Sequence, residues 1–126
     1  MSPNISARAD QTKNRLYVDL EGFFDLQSAK NAVDEVAGEV RKLRPGFTVI
    51  NDITKVKASS DEIASEIEDL LRLIERAGVS RVYRVVARGA TVAKLQHKRL
   101  QRESGVAYEV IEVGSVEEAE RHLDSL

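Results

Sequence analysis

From Arg88 to Arg102 the chain carries five basic residues, Arg88, Lys94, Lys98, Arg99 and Arg102, and no acid. Lys94, Lys98 and Arg102 recur at i, i+4 and i+8, so a helix over this stretch lines them up along one side as a cationic ridge. Gln96 and Arg99 fall inside the arc of Val92, Leu95 and Leu100, so that helix lacks a clean apolar face. Two readings follow: a solvated surface helix, or a surface for an anionic partner such as a phospholipid headgroup, a nucleotide or the acidic second helix of another copy. Asp61, Glu62, Glu66, Glu68 and Asp69 make that last pairing complementary, so a homodimer is one expected assembly. Ligands of open parallel sheets bind beyond the carboxyl ends of the strands. Asn51-Asp52 and Arg88-Gly89 fall at such ends, and Arg84, Arg88, Lys94, Lys98 and Arg102 are the cations that would face an anion there.

Residues for bond-making chemistry are sparse. His97 and His122 are the only histidines, both on predicted helices and neither in an HExxH or other ligand-spaced pattern, so they are expected on the surface. The chain has no cysteine, which excludes disulfides, thiolate nucleophiles and thiolate metal sites. Gly89 to Lys94 lacks the spacing of a phosphate-binding Walker loop, and no GxGxxG or GxSxG occurs. Asp19 and Glu21 share one strand face without an evident partner. The expectation is therefore a protein that is not an enzyme and needs no cofactor or metal.

The 126 residues fit one domain spanning 1–126. Hydrophobic residues at 42% and charged residues at 32% describe an ordinary globular chain, with no apolar run near the ~20 residues of a membrane span. Met1 to Asp10 contains no apolar signal core, so a cytoplasmic location is expected. A net charge of -2 argues against general nucleic-acid binding, which needs many cationic phosphate contacts.

The elements that must position these residues are legible from periodicity. Ile5 to Asp10 and Arg15 to Glu21 read as a hairpin around Gln11-Thr12-Lys13-Asn14, with Leu16, Val18 and Leu20 on one face and Arg15, Tyr17 and Asp19 on the other. Asp25 can cap a first helix, whose stripe is Ala29, Val33, Val36, Val40 and Leu43 before Pro45-Gly46 stops it. Phe47 to Asn51 is a short strand. Ser59 and Glu62 form a capping box for a second helix, striped by Ile63, Ile67, Leu70, Leu71 and Ile74 and ended by Gly78. Arg81 to Ala87 reads as a strand, about 90–103 as a third helix, and Tyr108 to Val113 as the last strand. Ser115 and Glu118 form a second capping box for a closing helix with Val116, Ala119 and Leu123 inward. Strands alternating with helices predict a β-β-α-β-α-β-α-β-α chain with a mainly parallel mixed α/β sheet.

This order, with Leu20-Glu21-Gly22 and Asp25 leading into the first helix, Asp52-Ile53-Thr54-Lys55-Val56 after the third strand, and Ser115-Val116-Glu117-Glu118-Ala119 at the last helix, resembles the STAS (SpoIIAA-like) domain. That is the fold of bacterial anti-sigma-factor antagonists and of the cytoplasmic tails of sulfate transporters. The resemblance covers nearly the whole chain and implies a regulatory, signalling module that binds a protein partner. In the antagonists a serine in an Asp-Ser-Ser-Gly-like loop is phosphorylated; here the stretch reads Ala58-Ser59-Ser60-Asp61-Glu62, without the aspartate and the glycine. Ser59 and Ser60 are the candidate phosphorylation sites, since a phosphate there would meet a helix N-terminus, although the acids that follow oppose it. A divergent branch related in shape to lipid-binding Sec14-type domains also lacks the phosphoserine pattern, and for it the resemblance implies a lipid or small anionic ligand.

Overall fold

Asn14 turns the first two strands back on each other. Its backbone is left-handed at φ 52°, a conformation asparagine tolerates better than most residues. Its amide is tied both ways to the Arg44 backbone, accepting from the N–H at 2.9 Å and donating to the carbonyl at 3.1 Å. The computed structural model describes residues 4–23, 25–56, 64–86 and 108–125. Within them the chain runs β1 (Asn4–Asp10), β2 (Arg15–Gly22), α1 (Leu26–Val40), β3 (Thr48–Val56), α2 (Ala64–Arg76), β4 (Arg81–Val85), β5 (Glu109–Val113) and α3 (Val116–Asp124). The five strands form one sheet in chain order, with β1 antiparallel to β2 and every later pair parallel. This is the expected mainly parallel mixed sheet. The helix predicted over about 90–103 and the Ser59 capping box lie outside the described residues.

Local chemistry sets the helix ends. Asp25 accepts from the Ser28 N–H at 2.8 Å while Ser28 Oγ accepts from the Asp25 N–H at 2.9 Å, a reciprocal box at the start of α1. Helix α1 stops at Val40, so Leu43 lies in the turn beyond it, still packed on the core. Its buried face is Ala29, Ala32, Val36 and Val40, with Ala32 rather than Val33 inward. At α3, Ser115 Oγ accepts from Glu118 N–H at 3.1 Å, but Glu118 reaches one residue further back than a strict box and accepts from Gly114 N–H at 2.9 Å. Helix α2 ends in a Schellman motif, Val79 N–H to Ile74 carbonyl at 3.1 Å and Gly78 N–H to Glu75 carbonyl at 3.0 Å.

Strand β3 is longer than the sequence pattern predicts. Asp52 to Val56, expected after the strand, lie inside it, because a bulge lets the ladder continue: Asp19 pairs with Asp52, but Glu21 pairs with Lys55. The Asp52 carboxylate accepts from the Thr54 N–H at 2.9 Å and the Thr54 hydroxyl at 2.7 Å, supplying a local partner where the regular pairing is interrupted. Beyond the bulge, Lys55 pairs with Glu21 at 3.1 Å.

Helices cover both sides of the sheet. On one side α1 and α2 close over Leu16, Val18, Val49 and Val82, joined by Val36, Val40, Phe47 and Ile74. On the other, α3 closes over Ile50, Tyr83, Val85 and Val113 with Ala119 and Leu123. The α3 side is polar at the amino ends of the strands, and its polar atoms bind the helix. Arg15 donates to Asp124 at 3.0 Å, and the Tyr17 hydroxyl donates to the Glu120 carboxylate. Tyr83, fully buried, shares a hydrogen bond with His122 Nδ1 and meets its ring edge-on. His122 is exposed as a residue, as expected, yet it closes off a core hydroxyl. Arg15 also lies at the carboxyl end of α3, where the helix dipole favours a cation. No helix among the described residues is long and apolar enough to cross a membrane.

Two glycines separate strain from propensity. Gly78 has φ +96°, and a Cβ there would sit 2.9 Å from Pro45 Cβ and 3.0 Å from Pro45 Cα. Gly78→Ala is expected to cost about 2 kcal/mol or more in urea unfolding, from the left-handed backbone and the clash together. Gly38, inside α1 with nothing within 4 Å of an added Cβ, should instead gain about 0.5–1 kcal/mol on Gly38→Ala.

Candidate functional site

Strand alternation carries Asn51, midway along β3, and Arg84, near the end of β4, to the α1/α2 side, where they are register neighbours. Arg84 is 3% exposed, unusual for an arginine. Its Nε and Nη1 are buried and have no hydrogen-bond partner among the described residues, and neither has Asn51 Oδ1 nor the Tyr108 hydroxyl. Burial lowers the arginine's affinity for its proton, opposed by the charges of Glu112, its register partner on β5, and of Tyr108. Burial likewise pushes the Tyr108 phenol far up, against the pull of the Arg84 charge. Arg84 is thus a desolvated cation with an amide as its register neighbour in an otherwise apolar core, while Tyr108 precedes β5 at the amino end of the sheet.

Asp52, next in sequence to Asn51, faces the other side. It lines an open cleft of about 170 Å³ with Ser6, Arg8, Tyr17, Asp19 and Ile50, beside the start of α3. The Arg8 guanidinium stacks 4.4 Å above the Tyr17 ring. Burial and the adjacent Asp52 and Glu21 charges raise the Asp19 carboxyl above its ordinary value, with Lys55 pulling the other way. Burial and the hydrogen bond to Glu120 raise the Tyr17 phenol, opposed by Arg15. Among the described residues no group of three or more His, Asp or Glu side chains is placed to hold a metal ion.

Of the residues singled out from sequence, Asn51 and Arg84 are brought together, while Asp52 is separated from both by the sheet itself. Arg88, Lys94, Lys98 and Arg102 lie outside the described residues, as do Ser59, Ser60 and His97. Sequence reasoning missed Tyr108 and Glu112. The signal for Glu112 was available, since it occupies the same register position on its strand as Arg84. Asp19 beside Asp52 yields a pH test. A carboxyl raised in the fold costs stability wherever it is ionised in both states, and costs nothing below its unfolded value near ~3.9. Asp19→Asn should therefore raise the Tm by a few degrees at pH 7, with the gain vanishing as the pH falls below about 4 in paired calorimetric scans.

No family model matches the sequence, and no curated protein does. Among solved structures, the chain is similar to an uncharacterised protein of the DUF3478 family from Shewanella loihica PV-4, described as having a SpoIIAA-like fold. The TM-score is 0.70 at 14% identity, over 97% of this chain and 94% of that one. At that identity the likeness speaks for the backbone arrangement alone: the chain has a SpoIIAA-like, and so STAS-like, fold.

Proposed function

We propose that the chain is a regulatory module that works without covalent chemistry, by reversible contact with a protein partner. The observation that carries this is the junction between β2 and α1. There Phe23 is 45% and Leu26 40% exposed, two large apolar side chains at the carboxyl end of a sheet whose other large apolar groups are mostly covered. Apolar exposure of this kind is costly to keep in water and is typical of a surface that is covered in a complex. The SpoIIAA-like fold agrees with a binding rather than a catalytic role by analogy only. Under this reading the module works without a phosphoserine switch, since Ser59-Ser60 stand in a context different from the antagonist pattern. The partner is a second protein or another copy of the chain, and the place of action is the bacterial cytoplasm.

A second reading, binding of a lipid or small anionic ligand, is favoured by Arg84, a buried cation with two unspent donors. It places the ligand beside Arg84, near the carboxyl end of β4, with the cations from Arg88 to Arg102 as further contacts.

The two readings separate experimentally. Phe23→Ser with Leu26→Ser should leave the far-ultraviolet dichroism intact and reduce recovery of a defined partner, in pulldowns from the native cell, by about tenfold, the loss of ~1.4 kcal/mol of binding. Recovery by the wild type of nothing above background, together with a single monomeric species in sedimentation, would sink the protein-contact reading. Phosphopeptide mapping of the native protein is expected to find Ser59 and Ser60 unmodified.

A further inference from the structure

The open cleft on the α3 side holds charges of both signs that the fold keeps apart. Helix α3 packs on β3, β4 and β5, and its first turn, at Val116, forms one wall of the cleft. Strands β1 and β2 supply the other, with Ser6 and Arg8 beside Tyr17 and Asp19. Toward the carboxyl end of the strands, Asp19 stands directly opposite Asp52 on β3 and Ser6 on β1. Like charges facing each other across adjacent strands destabilise a sheet. Arg8 lies one row back, diagonal to Asp19, where a salt bridge would relieve that repulsion. Its guanidinium instead stacks on the Tyr17 ring, and it makes no ion pair with an acid among the described residues. Lys55 pairs with the neighbouring Glu21, so the charges presented to the cleft are two carboxylates in one row and a guanidinium in the next.

We propose that this cleft is a binding site for a small zwitterion, a free amino acid with a short apolar side chain. The ligand's ammonium donates to Asp19 and Asp52, and its carboxylate accepts from the Arg8 fork and the Ser6 hydroxyl. Its side chain lies against Ile50 and Val116. The Tyr17 hydroxyl is committed to Glu120, so only its ring serves the cleft, as the platform that holds Arg8. The volume of about 170 Å³ is that of roughly six waters at ~30 Å³ each, which suits a molecule of valine's size and is small for a nucleotide.

The proposal gives the Asp19–Asp52 pair a reason to exist. Asp52 has a structural duty, since its Oδ1 accepts from Thr54 at the bulge. Asp19 has none of that kind and lowers the stability of the fold through burial and like charge. An ammonium between the two carboxylates offsets their repulsion, and residues held against stability are typically held for function. The site uses neither Arg84 nor the Phe23–Leu26 surface, so it stands independently of both readings above.

The test uses the intact chain and three probes at pH 7 and matched ionic strength: L-valine, isobutylamine, which is valine without its carboxylate, and isovalerate, which is valine without its ammonium. Valine well above its Kd should raise the Tm by roughly 2 °C or more, as ligand linkage requires, with each half-molecule giving less than half that shift. Asp19→Asn should be more stable than the wild type yet indifferent to valine, so that the lost response does not come from unfolding. Arg8→Met, which keeps an unbranched stem over the Tyr17 ring, should reduce the valine response to that of isobutylamine. Equal responses of the wild type to valine and isobutylamine overturn the carboxylate contact and with it the zwitterion. A valine shift unchanged in Asp19→Asn overturns the placement of the site. A wild type that does not respond to valine overturns the proposal as a whole.

Discussion

Two rows of side chains cross the parallel strands one residue apart. Leu16, Val49, Val82 and Val110 are register partners from β2 to β5 and pack under α1 and α2. Tyr17, Ile50, Tyr83 and Ile111, each the next residue along, form the row under α3. Because side chains alternate with a period of two, a slip of one residue in any strand would exchange the rows and take Tyr17 and Tyr83 away from their partners on α3. Every other placement depends on this registration.

The two sides solve the problem of buried polarity differently. Under α3 the pattern Arg15-Leu16-Tyr17 on β2 recurs as Arg81-Val82-Tyr83 on β4, and each tyrosine hydroxyl meets a side chain of the helix, Glu120 for Tyr17 and His122 for Tyr83. Arg81 is held by Glu109 at 3.1 Å and Arg15 by Asp124 at 3.0 Å. The closing helix is therefore bound by a polar lattice as much as by Ala119 and Leu123. Under α1 and α2, Arg84 has no such arrangement. Glu112, its register partner on β5, acts on it by charge, and its Nε and Nη1 have no hydrogen-bond partner among the described residues.

Legibility of the site followed the same division. Asn51 was identifiable as the end of a short predicted strand and Arg84 as a cation near it, and the structure makes them register neighbours. Asp52 was grouped with Asn51 because the two adjoin in sequence, but adjacency along a strand means opposite faces of the sheet. The same residue supports the bulge that extends β3 past its predicted end, a role visible only once the β2 ladder is known. Tyr108 escaped notice because a tyrosine at the start of a strand is ordinary in sequence; its open hydroxyl emerges only from the packing around it.

What the chain determined by itself was local. The Asp25–Ser28 box, the Gly78 stop and the alternation of Arg15 to Leu20 arise within a few residues, so their physics is written in spacing and residue type. The inward face of α3, Val116, Ala119 and Leu123, was legible for the same reason. Tertiary structure decided which sheet face each helix covers, that the polar face of β2 lies beneath α3 rather than in water, and which buried polar groups find partners. Those outcomes depend on pairs separated in sequence, such as Arg15 with Asp124, joined by the packing of α3 on the sheet, and Asn51 with Arg84, joined by strand register. Periodicity tells a strand that it has two sides, but only its neighbours tell it what each side will meet.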